Sequence, residues 1–294
     1  MSRILYIASC LPPLRGGTKG GHLGLLVSWL LGFSLLLLSC SSPVPRYDNI
    51  FAAIAAGDLS DVKLHLHQGT PLETGIEKGN TPLANAIYYG QPDIVRYLIR
   101  RGARLDYSRD PSTEPVVLSV RSGDTLTVLE LMRAGLPLAD PPGNLSLLEW
   151  AVAKNRLTMT RFLVARGWDI HAPVDDDGQS IIHAAAAWGS DSCLAYLIEM
   201  GFDPNEVDSA TGATPLIGAA LSGELSAAQV LIERGADPTF QWLDHYPGYW
   251  AEIKGHDLLS RFLYESAKLH ALTAELARRD SLDGGHRLDS LASP

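Results

Sequence analysis

The sequence predicts an all-α solenoid of about seven repeats, with a divergent unit at each end. Three observations lead there. Glycine precedes a helix-like stretch at Gly57, Gly90, Gly123, Gly189 and Gly223. Asn155 takes the same place between Gly123 and Gly189, and Gly255 ends the series, with spacings of 33, 33, 32, 34, 34 and 32 residues. Twelve residues after each marker stands a second glycine, at Gly69, Gly102, Gly135, Gly167, Gly201 and Gly235; only the last marker departs, with Ala267. Eight residues after the markers stand His65, Leu98, Leu131, Leu163, Leu197, Leu231 and Leu263, and nine after stand Leu66, Ile99, Met132, Val164, Ile198, Ile232 and Tyr264. Units of this length cannot bury an apolar face alone, so they stack on their neighbours.

Composition sets the frame. The chain has 294 residues, 24 basic and 33 acidic, for a net charge of −9, and 46% of its residues are hydrophobic. That is a globular composition with ample core. The negative balance argues against nucleic acid as a partner, because phosphate binding needs clustered Lys and Arg. Three cysteines, Cys10, Cys40 and Cys193, cannot build a disulfide framework or a four-thiolate zinc site.

The first element is residues 1–39, read as a signal peptide. No Asp or Glu precedes Asp48, Arg3, Arg15 and Lys19 are basic, and Leu23–Leu38 carries no charge. A basic flank, an apolar stretch and a small residue follow in the order of a secretory signal. Leu37-Leu38-Ser39-Cys40 resembles the lipobox of bacterial lipoproteins. The resemblance implies lipid on the Cys40 thiol, cleavage before it and acylation of the new amino group; Ser41 after the cysteine implies outer-membrane sorting. Two alternatives remain open here: an uncleaved membrane anchor, and a cysteine that merely ends an apolar helix. Sixteen residues at about 1.5 Å each span about 24 Å, short of a roughly 30 Å hydrocarbon core. Ile7-Ala8-Ser9-Cys10 is a second such string, with too little apolar chain before it to serve. The stretch before Leu23 is long for a signal, and a later start codon would account for it. Residues 40–47 follow as a tether.

The repeats occupy 48–267. Thr81-Pro82-Leu83 and Thr214-Pro215-Leu216 share a start, Ser180-Ile181-Ile182-His183-Ala184-Ala185-Ala186 keeps it without the proline, and Ser146-Leu147-Leu148 and Glu114-Pro115-Val116 are weaker copies. Thr or Ser can cap a helix whose first turn tolerates proline. Gly201-Phe202-Asp203-Pro204-Asn205 and Gly235-Ala236-Asp237-Pro238 share an exit. With these motifs at this period the stretch resembles ankyrin repeats, which implies helix–turn–helix pairs joined by hairpin loops. The units from Asp48 and from Tyr246 diverge most, as end caps do. Residues 268–294 are read as a helix end, to about Arg279, followed by a disordered tail.

No phosphate loop, zinc-binding H-E-x-x-H or nucleophile elbow occurs, so the chain is read as a non-enzyme that needs no cofactor. Asp175, Asp176, Asp177 and Gly178 lack the alternation and distal Glu of a calcium loop and read as a solvated hairpin tip. His65 and His67 point to different faces of a helix and cannot share a metal. His183 stands where the repeat's histidine bonds within its own unit, and Cys193 reads as a buried, inert thiol.

The resemblance implies a concave surface built from hairpin tips and first-helix ends. In register, the two residues before each marker face it. The candidate partner-binding residues are Tyr88, Tyr89, Arg121, Lys154, Trp188 and Lys254, with Asp176 and Asp177 at a tip; Glu77, Lys78, Asn80, Asp110, Thr113, Gln179, Trp242 and His245 stand at tips as well. Tyr, Trp and Arg are enriched at binding hot spots. The competing reading is that the rings pack on the next hairpin. Trp150, at a core-facing position, and Trp168, directly after a cap glycine, are left out.

The expectation is a lipid-anchored protein-binding module of the bacterial cell envelope, on the outer membrane facing the periplasm rather than on the inner membrane. One version, by analogy, is an immunity protein that occludes a secreted toxic enzyme such as a phospholipase. A second class is an envelope scaffold holding a periplasmic enzyme or secretion component. A third, an anchored protein with its repeats in the cytoplasm, runs against the basic residues before Leu23, which favour an inside N-terminus.

Overall fold

The computed structural model describes residues 43–75, 80–106, 114–141 and 145–289, with side chains described to residue 279. The chain divides into two units, Met1–Arg46 and Tyr47–Pro294. In the first, residues 43–46 are described and form no helix or strand. The expected signal segment and Cys40 lie outside the described residues.

The second unit is a series of helix pairs: α1 (Ile50–Ala55) with α2 (Leu59–His67), α3 (Pro82–Tyr88) with α4 (Pro92–Arg100), α5 (Pro115–Ser122) with α6 (Thr125–Arg133), α7 (Leu147–Ala153) with α8 (Leu157–Val164), α9 (Ile181–Ala187) with α10 (Asp191–Glu199), α11 (Pro215–Ser222) with α12 (Leu225–Glu233), and α13 (Pro247–Ile253) with α14 (Asp257–Asp289). Among the described residues there is no strand beyond a single bridge between Trp242 and His245. No helix among them is long and apolar enough to cross a membrane. First helices pack on first helices and second helices on second helices, each on the corresponding helix of the next pair. Two layers of helices result, with the core between them.

The buried stripe of each second helix falls four, five and eight residues after the marker. Ile94, Val95 and Leu98 of α4 are buried, as are Cys193, Leu194 and Leu197 of α10 and Ala227, Ala228 and Leu231 of α12. The residue nine after the marker sits at the edge of the stripe, since each helical step turns the side chain by about 100°. Ile99, Val164, Ile198 and Ile232 are half-buried there, and Met132 and Tyr264 are exposed. His65 fills the buried position in α2 because the backbone supplies a partner: its Nε2 lies 3.0 Å from the Tyr47 carbonyl oxygen.

Both glycine series have left-handed backbone, as the repeat requires. Gly123 has φ +84, and a Cβ there would meet Arg156 Cδ of the next repeat at 2.8 Å. Asn155, the non-glycine marker, has φ +52; asparagine tolerates that region better than most residues. Helix caps follow the motif in part. Thr81 Oγ1 accepts the Ala84 N–H at 3.1 Å. Ser146 and Glu149 form a reciprocal capping box. Ser180 and Thr214 make no side-chain cap bond.

The last second helix is longer than the sequence pattern implied. The other repeats stop their second helix at a glycine twelve residues after the marker; here Ala267 stands instead, and α14 continues to Asp289. The boundary expected after residue 267 therefore falls inside one continuous helix, and the helix runs ten residues past its expected end near Arg279. The buried apolar residues form two clusters. One includes Ile54, Ile87, Leu98 and Leu131, the other Val128, Leu163, Leu194 and Leu263. Leu136 packs against both.

Candidate functional site

The candidate residues sit where the first helices end. Tyr88 closes α3 and Tyr89 is its C-cap. Both are exposed, at 66% and 47%, and their rings meet edge to face with centroids 5.1 Å apart. This offset geometry is favourable for aromatic pairs, so the two rings form one presented apolar feature. Lys154 and Lys254 cap α7 and α13 and are exposed. Ile253, beside Lys254, is an exposed apolar residue at the same level of its repeat.

Arg121 and Trp188 are placed differently. The Arg121 guanidinium lies 4.7 Å from the Trp150 ring centroid, a cation–π arrangement across two repeats. Trp188 is half-buried against the core cluster. Between the two readings of the rings, Tyr88 and Tyr89 take the exposed one and Trp188 the packed one.

Asp176 and Asp177 are exposed at the hairpin tip between α8 and α9. Asp175 organises that tip, accepting the Gln179 N–H at 2.8 Å, and the Val174 N–H bonds the Gln179 carbonyl. Glu77, Lys78, Asp110 and Thr113 lie outside the described residues. Among the described residues no three His, Cys, Asp or Glu side chains are grouped to hold a metal ion.

The titratable groups in the interior serve structure. His183 Nε2 lies 3.0 Å from the Glu206 carbonyl oxygen, within its own repeat as the resemblance implied. Burial pushes the Cys193 thiol up from its ordinary value, which keeps it neutral and unreactive. Arg96 donates to Glu130 at 2.9 Å and Arg133 donates to the same oxygen at 2.6 Å. The Arg96 hydrogen bond holds the Glu130 carboxyl below the usual range, against the opposing effect of desolvation.

The sequence reading missed a cluster at the final hairpin. Trp242 and Trp250 stand 4.8 Å apart, His245 stacks on Tyr249 at 3.8 Å, and Trp250 Nε1 donates to the Trp242 carbonyl oxygen at 3.3 Å. The Trp242 and His245 backbones exchange hydrogen bonds of 3.0 and 3.1 Å, so Leu243 and Asp244 make a two-residue turn, with φ +50 and +63. Leu243 is exposed at its apex. The aromatic residues Trp242, His245, Tyr246, Tyr249 and Trp250 were the available signal, but the repeat register assigns Trp242 and His245 to a tip and Tyr246 to the start of the last unit. Trp168, also left aside, donates Nε1 to Asp140 at 3.0 Å and walls an open groove of about 520 Å³ between neighbouring hairpin bases. That groove lies at the N-terminal ends of α7 and α9, away from the Tyr88–Lys254 series at the C-terminal ends of the first helices.

Comparison with known proteins bears on the whole arrangement. Residues 148–241 match the family described as ankyrin repeats (3 copies), and residues 78–110 match the ankyrin repeat. The palmitoyltransferase AKR1 of Lachancea kluyveri is 30% identical over 106 residues, which are 35% of this chain and 14% of that enzyme. Palmitoyltransferase ZDHHC17 of Homo sapiens is 27% identical over 121 residues, 41% of this chain and 18% of that enzyme. Protein phosphatase 1 regulatory subunit 27 of Homo sapiens is 41% identical over 63 residues, 21% of this chain and 41% of that protein. The chain thus spans less than half the length of each of these relatives, and the palmitoyltransferase matches fall in their ankyrin region alone. Among solved structures, the human ASB11 ankyrin repeat domain superposes with a TM-score of 0.51 at 19% identity, covering 73% of this chain and 98% of that one. The chain carries ankyrin repeats, and its fold is an ankyrin-repeat solenoid.

Proposed function

We propose that this chain is a non-catalytic protein-binding module, held to the bacterial envelope by lipid on Cys40 and facing the periplasm, and that it acts as an immunity protein by covering a secreted toxic enzyme such as a phospholipase. The observation that carries the binding part is the Tyr88–Tyr89 pair: two aromatic rings, mutually packed and exposed, at the C-terminal end of α3. Large rigid side chains of this kind lose little entropy on burial and are favoured as interface anchors. Lys154, Lys254 and Ile253 extend the same level of the repeats, and Asp176 and Asp177 supply charge at a hairpin tip. The anchoring part rests on the Leu37-Leu38-Ser39-Cys40 string after a sixteen-residue uncharged stretch.

The test compares the tagged intact protein with Cys40→Ala in bacteria, by membrane fractionation and by mass of the mature N-terminus. An acylated product that begins at Cys40 and is lost in the variant is expected; an intact N-terminus in both would overturn the lipid anchor. Envelope protein that co-purifies with the wild type and is lost with Tyr88→Ala/Tyr89→Ala is expected for the binding surface. Unchanged sensitivity to the cognate toxin after deletion of the gene would overturn the immunity role.

A further inference from the structure

Three concave compartments join end to end where first helices begin and second helices end. The first, of about 380 Å³, lies among the start of α5 and the loops that follow α4 and α6. The second is the groove of about 520 Å³ walled by Trp168, and the third, of about 650 Å³, lies between the loops that follow α8 and α10. Asp140 lines both the first and the second, and Pro173 both the second and the third, so the compartments form one channel across successive repeats. Each repeats the same chemistry. Buried apolar side chains line it, with Val116 in the first, Leu148 and Ile181 in the second, and Phe202, stacked on His171 at 4.8 Å, in the third. Carboxylates accompany them in pairs: Glu114 and Asp140, then Glu149 and Asp169, then Asp203 and Glu206. Glu149 and Glu206 are half-buried and the other four are exposed.

Local structure does not use up these carboxylates. Asp140 accepts the Leu147 N–H at 2.7 Å and the Trp168 indole N–H at 3.0 Å, Asp169 accepts the His171 N–H at 2.9 Å, and Asp203 accepts the Asn205 N–H at 2.8 Å, all through Oδ1. Oδ2 of each keeps its capacity to accept. Among the described residues none of the six carboxylates has an ion-pair partner. Asp106, also in the first compartment, does have one, in Arg104 at 3.1 Å. The cation in the lining, Arg166, lies over the Phe162 ring at 3.6 Å.

We propose that this channel docks an extended, cationic segment of a partner protein, with a lysine or arginine at about every third residue. Packed helices stand about 8–10 Å apart, and one turn of a polyproline II chain, three residues at about 3.1 Å each, advances about 9 Å. Each turn therefore brings a basic side chain to the carboxylate pair of the next repeat, while its apolar stem lies along the buried residues between them. Trp168, held by its bond to Asp140, gives the middle cation an aromatic partner as well. The channel lies at the opposite ends of the first helices from the Tyr88–Lys254 series, so docking here goes beyond the proposed function and can hold where that reading fails.

The experiment titrates the full chain in mild detergent against fluorescent peptides of about twelve residues, read by anisotropy. One peptide repeats Lys-Pro-Pro; a second has the same composition with its lysines gathered at one end. The spaced peptide is expected to bind with a dissociation constant on the order of tens of micromolar, and the clustered one at least about fivefold more weakly. Glu114 and Glu206 make no side-chain bond that the fold relies on, so Glu114→Lys and Glu206→Lys should each weaken binding about tenfold, and together about a hundredfold. Glu114→Gln/Glu206→Gln removes the charges without reversing them and should weaken binding several-fold with an unfolding transition like that of the wild type. Glu265→Lys, the same charge change on α14, should leave binding within about twofold. Failure of the wild type to bind the spaced peptide would overturn the proposal, and sedimentation of the free chain would then show whether a second copy fills the channel instead. Equal binding of the two peptides, or equal weakening by Glu265→Lys, would overturn it too, since either means attraction to net charge rather than docking in register.

Discussion

Asn155 reaches into the next repeat, where its Oδ1 accepts the backbone N–H of Cys193 at 3.1 Å. The same oxygen takes the Ser192 N–H at 3.1 Å, and Asn155 Nδ2 donates to Asp191. The helix so capped, α10, has no side-chain cap from its own Ser190, whose hydroxyl donates instead to the Val152 carbonyl at 2.5 Å. The one marker that is not glycine therefore caps the following repeat from outside it.

Asn155→Gly should accordingly destabilise the protein, although glycine suits φ +52 better. Losing a helix cap costs about 1 kcal/mol, more than the few tenths that relief of left-handed strain by an asparagine returns. Urea unfolding of the full chain in detergent measures it. A stabilised variant would mean that the cap bonds contribute less than the backbone strain they accompany.

Glu130 should shape the acid side of the stability curve. Its folded-state carboxyl is held low, first by the Arg96 hydrogen bond. A depressed pKa contributes stability that is present above the unfolded value, about 4.3 for Glu, and is lost as pH falls through the folded value. Glu130→Gln should remove that contribution, so the gap between variant and wild type should shrink as the solution is acidified below about pH 4. A gap independent of pH between 7 and 3 would show that Glu130 acts only through packing.

Cys193 should be silent to thiol reagents while the chain is folded. It is fully buried, and burial pushes its thiol up. In a chain with Cys10→Ser and Cys40→Ser, an aromatic disulfide reagent should react with less than about a tenth of the chains over the time that unfolded protein reacts fully. Rapid labelling in native buffer would place Cys193 in a segment that opens locally.

The final hairpin should gain from residues suited to its turn. Leu243 and Asp244 both hold positive φ, and Asn-Gly is the preferred pair for such a two-residue turn. Leu243→Asn/Asp244→Gly should raise stability by about 1 kcal/mol, read from the shift in the unfolding midpoint. Loss of stability would show that the exposed Leu243 side chain contributes contacts that outweigh the strain of its backbone.

The repeat was legible because one backbone need recurs. Every marker and every second glycine has left-handed backbone, a requirement carried by residue type alone, and Asn155 fits the series because asparagine is the usual substitute. The exposure of Tyr88 and Tyr89 was legible for a similar reason, since register sets the direction a side chain leaves its helix. Trp188 shares that register but is half-buried, because its bulk reaches the core cluster. Pairings that join residues of different repeats left little trace in sequence spacing. Arg121 over Trp150, Trp168 on Asp140, and Asn155 on α10 depend on how successive units are rotated against one another. The length of α14 was half legible: Ala267 marks where the stop signal is missing, but it does not say how far the helix then runs.

Tyr47 is fastened through both of its backbone polar groups, its N–H by Asp61 Oδ2 at 3.1 Å and its carbonyl by His65 Nε2 at 3.0 Å. Both fasteners belong to α2, while the chain itself enters α1. A pull on the residues before Tyr47 would load two hydrogen bonds in parallel before it reached the short six-residue α1, and would be delivered sideways onto α2. The join works as a strain relief, like the knot that keeps a tugged cord from drawing on its terminal, so the first repeat could remain folded under a tension that would otherwise peel α1 from the stack.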